Sequence, residues 1–506
     1  MNLDQEWDVI VVGGGITGAG IFRQAVHEGY KTLLVEQRDF AWGTSSRSSK
    51  LVHGGLRYLQ EGRVDLVRDC VAERQALMAE APGLVEPLPF LVPDYKRHYP
   101  PPWLLRAGLA VYDALAMNWQ HEWLDRERFL MAAPHINRDG LTGGGRFLDA
   151  QVDDARLVLR VLLEGEAEGG KLLNYTTAQL PHREGEFTHL KLKDRDGGRS
   201  EVRARVVFNA TGAWADEFSE RRPGRLRPLR GSHLVFESWR LPLPCAISFN
   251  HPQDGRPGFL IPWEGASFVG TTDVDHEAEL SLEPAISQSE FDYLLSGLQY
   301  ALPHLQIGRD DVIGSWAGVR PVISHGKHVD PSKEKRDHGL WDENGVVTMT
   351  GGKLTTFRLM ALEAIEKARH YLWEPRKQGC FSFATPAELP REVKQRRRLQ
   401  GRYGERARDV LEVAGTEGLA QIRSSHTQWA ELVWGARTEH VVHLDDLLLR
   451  RTRLGFVLPG GGREHLSRIG ELCRTELGWD QERWDGEVER YLKLWDKGYG
   501  VATGLS

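Results

Sequence analysis

Cysteine is nearly absent. Cys70, Cys245, Cys380 and Cys473 are all that 506 residues contain, and no two of them form a C-x-x-C pair. Such scatter excludes a disulfide framework and a cysteine-based zinc site, and it fits reduced thiols in a cytosolic setting. No metal centre is expected. Uninterrupted apolar runs of about 18 residues are also missing, so no membrane-spanning helix is expected. The N-terminus carries neither a basic lead nor a long apolar core, so no signal peptide is expected. Neither sign of charge dominates: 65 Lys and Arg face 71 Asp and Glu, for a net charge of −6. Without a basic excess, a nucleic-acid partner is not expected. A hydrophobic content of 41 % is ordinary for a folded globular chain, and the length allows two or three domains.

Glycine is where the chain is rich, and its placement carries the first chemistry. Asp8 to Val12 reads Asp-Val-Ile-Val-Val, a β-branched run fit for a buried parallel strand. Gly13, Gly15 and Gly18 follow as G-x-G-x-x-G ahead of a helical stretch. In that pattern the first glycine permits a tight turn and the second lets the backbone approach a pyrophosphate. The third lets helix and strand pack closely. The helix N-terminus then offers free N–H groups and a positive dipole end to phosphate. A second apolar run, Thr32 to Val35, ends at Glu36, about where an acid that holds a ribose hydroxyl is expected. An acid there disfavours a 2′-phosphate. Together these features predict a Rossmann-type dinucleotide site.

Three further stretches suit the same ligand. Thr44, Ser45, Ser46, Ser48 and Ser49, with Arg47 and Lys50, crowd hydroxyls and cations into one loop fit for an anion or a polar ring edge. His53-Gly54-Gly55-Leu56-Arg57-Tyr58 follows it. Ala210-Thr211-Gly212 ends an apolar strand and fits a second backbone approach to a nucleotide. Gly351-Gly352-Lys353-Leu354-Thr355-Thr356 opens onto a helix N-terminus, the second such turn in the chain.

Elsewhere the pattern is coarser. Residues 64–81 read as a helix, and turns are expected around Pro87, Pro89 and Pro93. Trp103 to Trp119 is an apolar helix with aromatic ends, fit either for the core or for lying on a membrane surface. Residues 228–345 are rich in short strands. The tail is helical. Its basic run at Arg396–Arg398 and the amphipathic Asp445–Leu454 segment, acids leading and bases trailing, read as a solvated, ion-paired surface.

These motifs, taken in order, resemble the FAD-dependent glycerol-3-phosphate dehydrogenases of the aerobic, quinone-linked kind. Gly231-Ser232-His233, Gly270-Thr271-Thr272-Asp273 and Gly318-Val319-Arg320-Pro321 complete the set. The likeness covers about 370 residues closely and the helical tail more loosely. It implies an α/β fold with a Rossmann-type FAD-binding domain, an inserted antiparallel-sheet substrate domain and a C-terminal all-helical domain. The expected segments are 1–75, 151–227 and 346–375 for the FAD domain and 76–150 for a helical cap with a membrane-facing segment. Residues 228–345 would form the substrate domain and 385–506 the helical domain.

The implied cofactor is FAD, held by Gly13, Gly15, Gly18, Glu36, Thr44, Ser45, Ser46, Ser49, Lys50, Thr211, Gly212, Gly352, Lys353, Leu354 and Thr355. The implied reaction oxidises sn-glycerol 3-phosphate to dihydroxyacetone phosphate, with a hydride leaving C2 for the flavin and electrons passing to a membrane quinone. Arginine suits the phosphate because its planar fork binds two oxygens at once, so Arg57, Tyr58 and Arg336 are the candidate substrate ligands. A base that is neutral near pH 7 favours histidine, and His53 and His233 both qualify. Arg320 and Lys353 would hold positive charge near the reacting centre. Attachment to the cytoplasmic face of the cell membrane follows from the quinone, and a homodimer is left open. The alternatives are a glycerol-3-phosphate oxidase using oxygen, or another FAD-dependent amine or hydroxy-acid oxidase. A flavin-bound RNA-binding protein has only the arginine run in its favour.

Overall fold

The computed structural model describes residues 3, 5–60, 62–96, 102–116, 120–219, 224–324, 337–413, 415 and 418–501. Arg336 and residues 117–119 lie outside these, as does the side chain of Arg57. The Asp8–Val12 run sits in the strand Glu6–Val12, where Val9, Ile10 and Val11 are fully buried. Parallel strands flank it on both sides, Thr32–Val35 on one and Arg199–Asn209 on the other. Lys171–Leu173 and Val346–Gly351 extend this sheet in parallel, and His338–Asp342 adds an antiparallel edge. Strand order therefore reverses at Glu6–Val12, and the crevice beyond the carboxyl end of that strand is where such sheets bind ligands. A meander of Thr176–Ala178, His182–Glu184 and Phe187–Asp194 is carried antiparallel on Arg199–Asn209.

Helix Ile16–His27 starts at the crevice with Gly15 as its N-cap. A side chain at Gly18 would collide with the Gly13 carbonyl oxygen, so the close crossing of helix and turn requires glycine there.

The second sheet is built mostly antiparallel from Leu226–Glu237, Ala266–Gly270, Pro257–Trp263 and Ala246–Asn250, with the long strand Val312–Ile323 on Leu226–Glu237. It continues into chain segments expected elsewhere. Val85–Tyr95, Leu141–Val152 and Glu122–Asp125 join it, so 76–150 is not simply a helical cap. Pro87, Pro89 and Pro93, expected in turns, lie inside Val85–Tyr95. They are spaced by even numbers, so the missing N–H groups fall on one edge of the strand and the ladder survives. Leu51–Val52 also pairs into this sheet, whereas His338–Asp342 belongs to the first. Leu51–Val52 is a two-residue strand whose partner lies about 100 residues on, and His338–Asp342 follows its hairpin partner Val346–Gly351 into the first sheet, so neither choice of sheet has a local signal.

The tail forms helices, among them Arg396–Tyr403, Trp429–Thr438, Leu466–Cys473 and Gln481–Gly498. Their aromatics Trp484, Tyr491 and Trp495 share one core with Trp316 and Phe268 of the second sheet. Arg396 and Arg397 are exposed, as expected, but the Asp445–Leu454 segment is ion-paired and not solvated. Arg450 and Arg451 close on Asp39, and Arg450 also meets Asp445 at 2.7 Å. Arg402 reaches Asp153 at 2.8 Å, Arg453 reaches Asp154 at 2.9 Å and Arg156 reaches Glu439 at 2.6 Å. All five guanidinium side chains are buried. Residues Asp446–Arg451 wind as a π-helical turn to present these groups. The charge pattern is legible in the sequence, but its partners on the first domain lie between 249 and 412 residues upstream.

Candidate active site

A cavity of about 1560 Å³ opens at the crevice and runs between the two sheets. Gly13, Gly15, Ile16 and Thr17 line one end. Gly13 has φ +111°, and a Cβ there would stand 2.5 Å from the Ala210 carbonyl oxygen. A Cβ at Gly15 would meet only the Ser45 hydroxyl, at 3.1 Å, so this backbone is open to a ligand. The Ile16 N–H donates to Ser45 Oγ at 2.9 Å, which fixes the hydroxyl loop over the helix start. Glu36 also lines the cavity and accepts the Gly14 and Arg38 N–H groups at 2.7 and 2.8 Å. Burial raises its carboxyl pKa above the ordinary value, against the pull of those two donors.

Thr44, Ser49, Thr211, Gly212, Gly352, Lys353, Leu354 and Thr355 join the lining. Ser46 and Lys50 do not. Lys50 points inward, 2.6 Å from the Ser46 carbonyl and 2.8 Å from Asp154. Arg47 likewise turns into the protein, donating to the Tyr499 hydroxyl at 2.9 Å and pairing with Glu283. Lys50 and the Arg47 guanidinium fasten the loop to the protein, and Thr44, Ser45 and Ser49 line the cavity.

The reactive residues divide in the same way. His53, Tyr58, Arg320 and Lys353 all line the cavity. The His53 N–H donates to Thr355 Oγ1 at 3.2 Å, tying its loop to the second glycine turn. The Lys353 ammonium sits over the Tyr58 ring, 3.5 Å from its centre. Arg320 pairs with Asp273 at 2.5 Å and donates to Thr271 Oγ1 at 3.1 Å. A Cβ at Gly231 would stand 2.5 Å from the Arg320 guanidinium, so that glycine makes room for it.

His233 is fully buried, stacked on Trp316 at 4.6 Å, and touches the cavity only through Ser49 Oγ at 2.9 Å. Burial, with Arg320 and Lys50 nearby, pushes its pKa well below the usual histidine value. Of the two histidines, only His53 faces the space a substrate would enter. Arg57 lies in the helix Leu56–Gln60, and the expected role of Arg336 falls outside the described residues.

One cavity arginine was not anticipated. Arg256 lines the same end as Arg320 and shares Asp273 with it, at 3.2 Å. Its signal was present as Asp254-Gly255-Arg256-Pro257-Gly258, a cation on a tight turn, but nothing local links that turn to Arg320.

Comparison with known proteins bears on what occupies this cavity. Residues 8–361 match the family model described as FAD dependent oxidoreductase, and residues 363–484 match the C-terminal domain of alpha-glycerophosphate oxidase. An aerobic glycerol-3-phosphate dehydrogenase of Staphylococcus epidermidis is 34 % identical, over 89 % of this chain and 87 % of that one. One from Staphylococcus aureus is 31 % identical over 97 % and 95 %. The chain belongs to the FAD-dependent glycerol-3-phosphate dehydrogenase family. A Bacillus halodurans glycerol-3-phosphate dehydrogenase solved with FAD superposes with a TM-score of 0.77 at 27 % identity, covering 98 % of this chain and 95 % of that one.

The cofactor of the family is FAD, and the cavity fits it. The Gly15 backbone is open toward the cavity, a helix N-terminus meets it, and Glu36 lines the cavity where a ribose would lie. Gly13, Gly15, Glu36, Ser45, Thr211 and Leu354 line the cavity and would hold it. When bound it supplies a two-electron acceptor for a hydride. Gly18, as its packing requires, serves the fold of the cradle without touching the cavity.

Proposed function

We propose that the protein oxidises sn-glycerol 3-phosphate to dihydroxyacetone phosphate and passes the electrons to a membrane quinone. The observation that carries this reading is the meeting, in one cavity, of a dinucleotide cradle with His53, Lys353, Arg256 and Arg320. The last two form a cationic pair that shares the Asp273 carboxylate, and two planar guanidinium forks at one place suit a phosphate dianion. Arg57 is the further candidate for that phosphate, and Tyr58 for a hydroxyl hydrogen bond. His53 takes the proton from the C2 hydroxyl as the hydride leaves, and Lys353 keeps positive charge at the reacting centre. His233 orients Ser49 from behind.

The quinone reading rests on the helix Pro102–Ala116. Trp103, Leu104 and Val111 are exposed on it, whereas Leu109 and Tyr112 are buried in the core. Leu104, Leu105, Gly108 and Val111 also line the cavity. An apolar outer surface and the flavin end are thus reached from one space, which suits an acceptor dissolved in lipid. Among the described residues no helix is long and apolar enough to cross a membrane. The protein would therefore lie on the cytoplasmic face of the bilayer through this helix.

Anaerobic mixing with glycerol 3-phosphate, followed by flavin absorbance, tests the substrate. Bleaching by glycerol 3-phosphate and not by glycerol is expected, and equal bleaching by both would refute the phosphate clamp. The match of the tail to a glycerophosphate oxidase domain keeps oxygen in view as the acceptor. Stoichiometric peroxide during turnover, with no stimulation by a short-chain quinone, would replace the quinone reading with that one.

A further inference from the structure

We propose that His182, His189 and Glu201 form a surface site for a divalent transition metal of the zinc class. The three residues come from three adjacent antiparallel strands, His182–Glu184, Phe187–Asp194 and Arg199–Asn209. His182 and His189 are direct register partners, so both side chains leave the same face of the meander. His189 is also the partner of Arg203, and Glu201 lies two residues from Arg203 along its strand. A separation of two returns to the same face. The sheet therefore delivers two imidazoles and a carboxylate to one spot.

The side chains are already gathered there. The two rings stack at 5.1 Å with 25° between their planes. His189 Nδ1 is 3.6 Å from Glu201 Oε1, and one ligand atom from each of the three lies within 4.8 Å of the others. Around tetrahedral zinc with bonds near 2.0–2.1 Å, donor atoms sit roughly 3.3 Å apart. The remaining contraction is about 1.5 Å, within reach of side-chain rotation at this open surface. His182 and Glu201 are exposed and His189 is half-buried, so a hydrated ion reaches them directly.

Donor chemistry selects the ion. Two imidazoles with one carboxylate suit zinc, cobalt, nickel or copper, whereas calcium and magnesium prefer all-oxygen sets. Three protein ligands leave the fourth position to water. Five cations share the face: Lys191 and Lys193 on the strand of His189, and Arg199, Arg203 and Arg205 on the strand of Glu201. Arg203 is engaged by Glu6 at 2.8 Å, and Lys191 is the register partner of Glu201. The metal would displace the His189–Glu201 pair and fasten the small outer strand to Arg199–Asn209. Binding to the folded state alone then raises thermal stability. None of the three residues lines the flavin cavity.

The test uses tag-free, flavin-loaded protein titrated with zinc chloride by calorimetry, and with cobalt chloride by visible absorbance. One ion per chain is expected at this site, with bands of nitrogen- and oxygen-coordinated cobalt and a rise in melting temperature. His182→Gln and His189→Gln should each weaken binding by more than the ~10- to 100-fold that loss of an outer-shell partner costs. Flavin content should not change in either variant. Unchanged affinity in the His182→Gln/His189→Gln double variant would overturn the proposal, as would the absence of any metal-dependent shift in the parent protein.

Discussion

The Tyr112 hydroxyl donates to Asp149 Oδ1 at 3.0 Å, and the same oxygen accepts the Gly54 N–H, also at 3.0 Å. Arg74 Nη1 donates to both side chains, at 2.7 and 2.8 Å. The inner face of the Pro102–Ala116 helix is thereby joined to the loop that carries His53. There is no spare room: a Cβ at Gly54 would stand 2.6 Å from Val71 Cγ2 and would collide with the Tyr112 hydroxyl. Asp149→Ala leaves the Arg74 charge buried without its carboxylate, which typically costs about 3–5 kcal/mol. Gly54→Ala overpacks the loop at about 1–3 kcal/mol. Both variants should melt lower and retain less flavin. A Gly54→Ala protein with the parent's melting point and flavin content would show that the loop rests on something else.

Arg256 and Arg320 give a second prediction. Truncating either to alanine removes half of the clamp and one of the two guanidinium groups that share Asp273. A charge-assisted contact is worth roughly 3 kcal/mol, so kcat/KM for glycerol 3-phosphate should fall by about 10²-fold in each variant. The slow reaction with glycerol should barely change. If Arg256→Ala behaves like the parent, the phosphate lies against Arg57 instead.

A third prediction separates the histidines. His53→Ala should slow flavin reduction by ~10²- to 10⁴-fold with little change in substrate affinity. His233→Ala empties a packed position against Trp316 and Phe268. Its signature should be lower stability and flavin retention, with a smaller loss of rate once flavin is loaded. Rapid-reaction measurements on loaded protein tell the two apart, and a rate loss confined to His233→Ala would reverse the assignment.

Lys50 makes stability depend on pH. Burial, and Arg453 beside it, push its pKa down to about 7 from 10.5, against the upward pull of Asp154. In the folded state Lys50 is therefore neutral across a window where the unfolded chain keeps it protonated. Above the unfolded value there is no penalty, and the penalty grows as pH falls through the window to about 7. Stability should thus rise with pH between these limits, by at most about 1.4 kcal/mol per unit from this group. Lys50→Met should flatten that slope, because Arg453 still pairs with Asp154. Denaturant melts of both proteins at several pH values check it, and an unchanged slope would mean that Lys50 stays charged.

The local parts of this site were legible in the sequence because each is a backbone requirement written in glycine. Gly13, Gly15 and Gly18 with Glu36, and the turn at Gly351-Gly352, state where the chain must bend and what it must approach. Side-chain direction was less legible. Lys50 and Ser49 are neighbours in one polar loop, yet one faces Asp154 and the other the cavity, and that choice depends on a helix about 100 residues away. Arg256 escaped notice for the same reason, since its partner Asp273 meets it only through the sheet. Pro87, Pro89 and Pro93 carry turn propensity, but their even spacing puts every missing N–H on one edge of Val85–Tyr95, which a sheet tolerates.

The last prediction concerns the bilayer. The apolar stretch from Trp103 divides into two faces. Leu109, Tyr112 and the half-buried Leu105 pack into the core, so polar replacements there should unfold the protein and say nothing about lipid. Trp103, Leu104 and Val111 are 68, 38 and 47 % exposed, with Val64 at 48 % also exposed on the preceding helix. Burial in lipid of one large apolar side chain is worth about 1.5–3 kcal/mol, so two or three such residues suffice for reversible attachment. Replacing Trp103, Leu104 and Val111 with Ser, Gln and Thr should leave folding, flavin content and bleaching by glycerol 3-phosphate intact. Flotation with liposomes should fall, and with it the rate of reduction of a quinone held in those liposomes, while a water-soluble acceptor is reduced as before. A variant that still floats and still reduces the lipid-held quinone would move the contact surface away from this helix.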